Sequence, residues 1–237
     1  MEPPLDAVAR AHRRLFAVIA DLTDEQVAQP SLLPGWTRGH VLAHLADAAR
    51  ARSRVVEHAA RGERVELWEP GERDAIIEAT AARGAAEHRA ATVEQAERLE
   101  RAWAAVADWS EPADPAVPDP VPPVFTRWRE VWIHLLDLDL GVRPGEWSAE
   151  FAVHTIGVLR PRLPDGVVLR ATDVPRTWGA EVVGGARTRG VEVVGGVRDL
   201  AAWLAGRTPD EPPTSTVPLP ELGPWPAYPA RRQDLAD

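Results

Sequence analysis

Two short stretches carry the residues best suited to chemistry. In "GWTRGHVLAHLA", residues 35–46, His40 and His44 stand four apart in a pattern that predicts a helix. On a helical wheel they lie about 40° apart. Ala48, Val41, Leu45, Ala49 and Leu42 form the apolar arc. His44 borders that arc, while His40 lies further out beside Asp47, so His44 is the one expected to face an interior. In "EVWIH", Glu130 and His134 are again four apart, with Arg127 and Asp137 close to the same stripe. The rest of that segment is Trp128, Val131, Trp132, Ile133, Leu135, Leu136 and Leu138, which predicts a helix buried over most of its surface. A polar stripe on a buried helix needs partners.

Two readings of these stripes stay open. In the first, His44 is a buried histidine bonded to a neighbour, and Glu130 with His134 is an ordinary i,i+4 pair or solvated face. In the second, His44, Glu130 and His134 form one set of two imidazoles and a carboxylate. Three such ligands with an open fourth position make the arrangement of a catalytic zinc site. Ligands at i and i+4 on one bundle helix suit a metal.

The elements that must position these residues can be read from periodicity. Residues 5–20 have helical spacing at Leu5, Val8, Leu15, Val18 and Ile19. Thr23 with Gln26 three residues on reads as a capping box for a short second helix. Thr37 reads as the N-cap of the histidine helix, which runs to about residue 60. A long helical pattern extends from Glu72 to about Ala107. Residues 110–124, "SEPADPAVPDPVPPV", hold so many prolines that they read as a connecting loop. The next helix, "FTRWREVWIHLLDLDLG", is stopped by Gly141 and Pro144. These elements predict a four-helix bundle over residues 1–146. From 148 to 237 the expectation is a small α+β domain with a Pro-rich tail. It opens with a helix around "AEFAVHTIGVLRPRL". Strands follow in "GVVLRATD", "TWGAEVVGG" and "GVEVVGG", and then an amphipathic helix "VRDLAAWLAGR" that ends near Gly206. The fold class is α+β.

Composition narrows the function. The 237 residues carry a net charge of −9, which argues against nucleic acid as a partner. No apolar run is long enough to span a membrane. The segment "MEPPLDAVARAHRRL" has no apolar core following a basic one, so no secretory signal is predicted and the cytoplasm is the expected location. The chain has no cysteine, which excludes disulfides, thiolate ligands and a cysteine nucleophile. Any metal must be held by His, Asp or Glu, and any thiol must come from outside. Ten tryptophans with abundant Ala and Arg point to a GC-rich, actinobacterial type of genome. His12, His58, His88 and His154 sit among charges and are expected at the surface. No phosphate-loop or nucleophile-elbow pattern occurs. Arg170, Arg176, Arg198 and Arg207 are candidates for holding a carboxylate.

In order along the chain, "LLPGWTRGHVLAHLADAA", "ERDAIIEATAARGAAE", "RWREVWIHLLDLDLG" and "VRDLAAWLAGR" followed by "LPELGPWP" resemble the mycothiol-dependent maleylpyruvate isomerase family. The resemblance covers nearly the whole chain. It implies a DinB-like metal-binding four-helix bundle with a small C-terminal domain. It implies a divalent metal, usually zinc, on His44, Glu130 and His134. It also implies mycothiol as the thiol cofactor, held as thiolate by the metal. In that family's chemistry the thiolate adds to the cis double bond of maleylpyruvate, the new single bond rotates, and expulsion of the thiol leaves fumarylpyruvate. An arginine near the position of Arg207 would hold the substrate's carboxylates. Three functions are compatible with the sequence. They are a metal- and thiol-dependent isomerase or transferase, a hydrolase using metal-activated water, and a small-molecule-binding module without catalysis.

Overall fold

The computed structural model describes residues 3–109, 122–179, 182–183, 186–187 and 190–226. It divides into two compact units, Met1–Gly141 and Val142–Asp237.

The first unit is helical, and its four long helices form the bundle. Helix α1 (Leu5–Ile19) buries Val8, Ala11, His12, Leu15 and Ile19 along one face. Helix α2 (Asp24–Ala28) starts at Thr23 with the expected capping box, in which Thr23 and Gln26 satisfy each other's backbone N–H. Helix α3 (Arg38–Ala59) is the bundle's centre. Helix α4 (Glu72–Thr80) packs on it, α5 (Ala85–Ala104) runs along it, and α6 (Pro122–Asp137) packs against both α1 and α3.

Three sequence expectations need correction. The pattern from Glu72 to Ala107 is two helices, not one. The chain turns at 81–84, and α5 starts afresh because its first N–H groups find carboxylates. Gly84 N–H donates to Glu87 at 3.2 Å, and Ala85 N–H donates to Asp24 at 2.6 Å. Second, the segment expected as loop to residue 124 already turns helical at Pro122. Proline is tolerated in a first turn, where its missing N–H would have no partner anyway. The rest of that loop lies outside the described residues. Third, α6 ends at Asp137 rather than Gly141. The carbonyls just past its end are taken by the buried Arg38, whose Nε donates to Leu138 O at 2.6 Å and whose Nη2 donates to Asp139 O at 3.0 Å.

Close packing at the start of α3 depends on Gly39. A Cβ there would stand 2.1 Å from the backbone oxygen of Ala81. Gly39→Ala must push α4 away from α3, and overpacking of this kind costs about 1–3 kcal/mol. A urea midpoint unchanged in that variant would show that the α3–α4 contact is not tight.

The second unit is α+β. Helix α7 (Ala149–Leu159) starts at the Ser148 cap and packs on α8 (Val197–Leu204). Strands β1 (Val167–Ala171), β2 (Thr177–Trp178), β5 (Val191–Gly195) and β6 (Thr214–Ser215) form one sheet in the order β2-β1-β5-β6. β1 and β5 run parallel and both edges pair antiparallel. The short β3 (Val182–Val183) and β4 (Ala186–Arg187) pair as a separate hairpin. Gly206, at φ +68°, closes α8. Gly206 N–H bonds Trp203 O, and Arg207 N–H bonds Ala202 O, each at 2.9 Å, the paired bonds of a glycine-ended helix. The Pro-rich tail, expected to be extended, contributes β6; residues 227–237 lie outside the described part. Among the described residues, no helix is long and apolar enough to cross a membrane.

Candidate metal centre in the helical bundle

His40 and His44 share a helix but not a task. His40 is the third residue of α3 and belongs to its cap. Its Nδ1 accepts from Thr37 N–H at 3.2 Å, while Thr37 Oγ1 accepts from His40 N–H at 3.3 Å. His44, one turn on, is buried. Its Nε2 lies 3.5 Å from Glu130 Oε1, and its ring meets that of His134 edge-on at 4.8 Å between centroids. Trp36, from the loop before α3, tilts over His44 at 5.9 Å. The structure therefore brings together the three residues that the two stripes singled out and leaves His40 at the rim.

The surroundings fix the state of each group. His134 Nδ1 is 2.8 Å from the fully buried Asp137, whose carboxylate can only accept. The proton therefore sits on Nδ1, and Nε2 keeps its lone pair. This is the carboxylate–histidine pairing that orients a metal-binding imidazole. Glu130 is grasped by two buried guanidiniums. Arg52 donates to both oxygens, at 3.1 and 3.2 Å, and Arg127 donates to Oε2 at 2.9 Å. Burial alone would raise the Glu130 pKa; Arg52 and Arg127 outweigh it and hold the carboxyl well below the usual range. Burial, with His134 beside it, pushes His44 down to about 3, so its imidazole is neutral.

Two imidazoles and one ionised carboxylate are the donor types a divalent ion of the zinc kind takes. Two ligands about 2.0–2.1 Å from one tetrahedral ion stand about 3.4 Å apart, close to the 3.5 Å between His44 and Glu130. Glu130 Oε1 accepts one hydrogen bond against two at Oε2, so Oε1 is the oxygen with capacity left. One contact opposes an ion. Arg73 Nη2 approaches His44 Nδ1 at 3.4 Å, and a guanidinium can only donate. That tautomer places the His44 proton on Nε2, so Arg73, partly exposed on α4, must release Nδ1 before Nε2 can act as a ligand. Among the described residues no group of three His, Asp or Glu side chains stands ready-made to hold a metal. Closing this set on an ion requires its side chains to move.

Several residues around this centre were not foreseen. Arg52 and Arg73 carry no signal in the sequence, since each looks like one arginine among many. His12 and His88, expected at the surface, are buried. His88 Nε2 meets Ala81 O at 3.3 Å, a carbonyl left over at the end of α4. His12 lies between Glu100 and Arg127, with its Nδ1 2.6 Å from Glu100 and its Nε2 accepting from Arg127 Nε at 3.0 Å. Arg207, on the second unit, donates to Ala205 O at 2.7 Å and lies 6.0 Å from the ring centre of Trp225.

Burial pushes His12 down to about 4 from 6.5, with Arg127 adding to it and the Glu100 bond offsetting part. Between those values the unfolded chain binds a proton that the folded chain refuses, so stability falls as pH drops from about 6.5 towards 4. The loss is about 3 kcal/mol at 1.36 kcal/mol per pH unit. Urea unfolding across that range should show a shallower pH slope in His12→Phe than in the parent. Identical slopes would mean that His12 titrates normally in the fold.

The first unit is a helical bundle that turns His44, Glu130 and His134 inward from two neighbouring helices. The chain belongs to the mycothiol maleylpyruvate isomerase family: the model of that family's N-terminal domain matches residues 8–139, more than half of the 237. Two solved structures resemble the whole chain. A crystal structure of the mycothiol-dependent maleylpyruvate isomerase is 23% identical, with a TM-score of 0.78 over 93% of this chain and 95% of that one. A histidine-to-alanine mutant of that isomerase is also 23% identical, with a TM-score of 0.77 over 93% and 95%. At that identity the likeness establishes the fold. Among curated proteins, no sequence matches the chain significantly.

Proposed function

We propose that the protein is a metal-dependent enzyme that uses a low-molecular-weight thiol, mycothiol, to isomerise a maleylpyruvate-type carboxylate substrate or to transfer the thiol in a related reaction. The observation that carries this reading is the meeting of His44 from α3 with Glu130 and His134 from α6 in a buried, charge-balanced setting. His44 Nε2, Glu130 Oε1 and His134 Nε2 are the proposed ligands of a divalent ion, taken as zinc. Bound there, the ion would supply Lewis acidity that keeps an incoming thiol as thiolate, the form that adds to an activated double bond.

The remaining work falls to the chain's own residues. Asp137 keeps His134 in the tautomer with a free Nε2. Arg52 and Arg127 keep Glu130 ionised inside the bundle. Trp36 and the apolar faces of α3 and α6 exclude bulk water, which strengthens every charge interaction at the site. Arg207 is the proposed partner of a substrate carboxylate. Its planar fork suits bidentate contact, so Arg207→Lys should lower catalytic efficiency roughly ten- to hundredfold with metal content unchanged.

The deciding experiment is metal analysis of the purified protein. It is followed by cobalt substitution and by addition of mycothiol with maleylpyruvate. The reading expects about one ion per chain, a change in the cobalt absorption when thiol is added, and turnover that requires the thiol. Turnover without thiol would favour the hydrolase, and an occupied site that accelerates nothing would favour a binding module.

A further inference from the structure

Behind Glu130, on the side away from His44's contact with Oε1, a chain of buried hydrogen bonds leads outward through three helices. Glu130 Oε2 accepts from Arg127 Nη1 at 2.9 Å. The same Nη1 donates to the carbonyl of Leu45, also at 2.9 Å, and Leu45 follows His44 on α3. One guanidinium nitrogen thus ties the backbone beside His44 to the carboxylate of Glu130. Arg127 is fully buried, and its Nη2 has no partner among the described residues. With Nη1 held by Leu45 and Glu130, the other end of the guanidinium is held by the bond from Nε to His12 Nε2 at 3.0 Å. Because a guanidinium only donates, His12 Nε2 must carry a lone pair and the His12 proton must lie on Nδ1. That Nδ1 lies 2.6 Å from Glu100 Oε1 on α5, a carboxylate that accepts it and holds the tautomer. His12 on α1 is itself fully buried.

We infer that the Glu100–His12 pair is a positioning device for the ligand set, orienting Arg127 so that it occupies Glu130 Oε2 and leaves Oε1 turned to His44. Neither residue touches the proposed ligands. They act through Arg127, by the described contact that holds its Nε end while Leu45 and Glu130 take Nη1. The inference rests on the metal-centre reading above. It extends that reading to residues on two helices, α1 and α5, that supply no ligand.

The test compares zinc affinity, measured by chelator competition, and the cobalt absorption spectrum in the parent, His12→Phe, His12→Gln and Glu100→Ala. Phenylalanine keeps the ring, which stacks on Phe16 at 6.3 Å between centroids, but removes both hydrogen bonds. Glutamine keeps an acceptor for Arg127. Loss of such a supporting bond weakens metal binding about 10- to 100-fold. His12→Phe should fall in that range with an altered cobalt spectrum, His12→Gln should recover most of the affinity, and Glu100→Ala should weaken binding more modestly, still outside error. A residue that merely filled the core would lower the melting temperature without moving the spectrum. Parental affinity and spectrum in His12→Phe overturn the inference and leave the metal centre standing. If that variant does not fold, the same result in Glu100→Ala, whose side chain lies at the rim, overturns it. A parent that binds no zinc overturns the metal centre and this role together.

Discussion

His134→Ala is expected to empty the bundle of most of its metal, from about one ion per chain to a small fraction, with turnover falling more than about 100-fold. The variant removes an imidazole whose tautomer is set by a fully buried carboxylate 2.8 Å away, so Asp137 loses that contact as well. His44→Ala should behave alike. The control is His40→Ala. His40 differs from His44 by one helical turn, yet its Nδ1 is engaged with Thr37 at the start of α3. That variant should lose a little helix stability and keep its metal. Full metal content in both His44→Ala and His134→Ala would sink the assignment, and metal loss in His40→Ala alone would move the site to the rim. Each variant needs only elemental analysis beside a melting curve.

Arg127→Met is expected to destabilise the fold by about 3–5 kcal/mol, the range for removing one partner of a buried ion pair. Glu130 would keep Arg52 but lose the shorter of its contacts. His12 Nε2 and the Leu45 carbonyl would each lose a donor. The cost comes from groups left buried without partners rather than from lost packing, since methionine fills similar space. A second substitution checks this cause. In Arg127→Met with Glu130→Gln the same contact is broken by both changes, so the two losses should not add, and the shortfall is a coupling of about 0.5–3 kcal/mol. A single variant within about 1 kcal/mol of the parent, or a pair that simply adds, would show that Arg127 is not buried as a charge partner of Glu130.

Much of the bundle was legible before any coordinates. Thr23 and Thr37 announced helix starts because capping is local chemistry, decided within four residues. The apolar crowding around Glu130 and His134 marked a buried helix, and a wheel separated His44 from His40. His12 is legible in the same way. Val8, His12, Leu15 and Ile19 fall on one helical stripe, and all four are buried. A histidine in step with that stripe had to be inside, whatever charges flank it in sequence.

Other features depended on contacts between residues far apart in the chain. The break before α5 is made by Asp24, about sixty residues away, accepting from Ala85 N–H. The pairing of β6 with β5 needs an open sheet edge that exists once the second unit has folded. The partners of Glu130 come from α3 and α6, and their support comes from α1 and α5. Residue types and spacing along single helices determined which side chains could serve as ligands, because helical periodicity is a property of the local backbone. Tertiary structure alone decided which arginines and which histidine surround them, because hydrogen bonding and desolvation act on whatever the packed helices bring within about 3 Å.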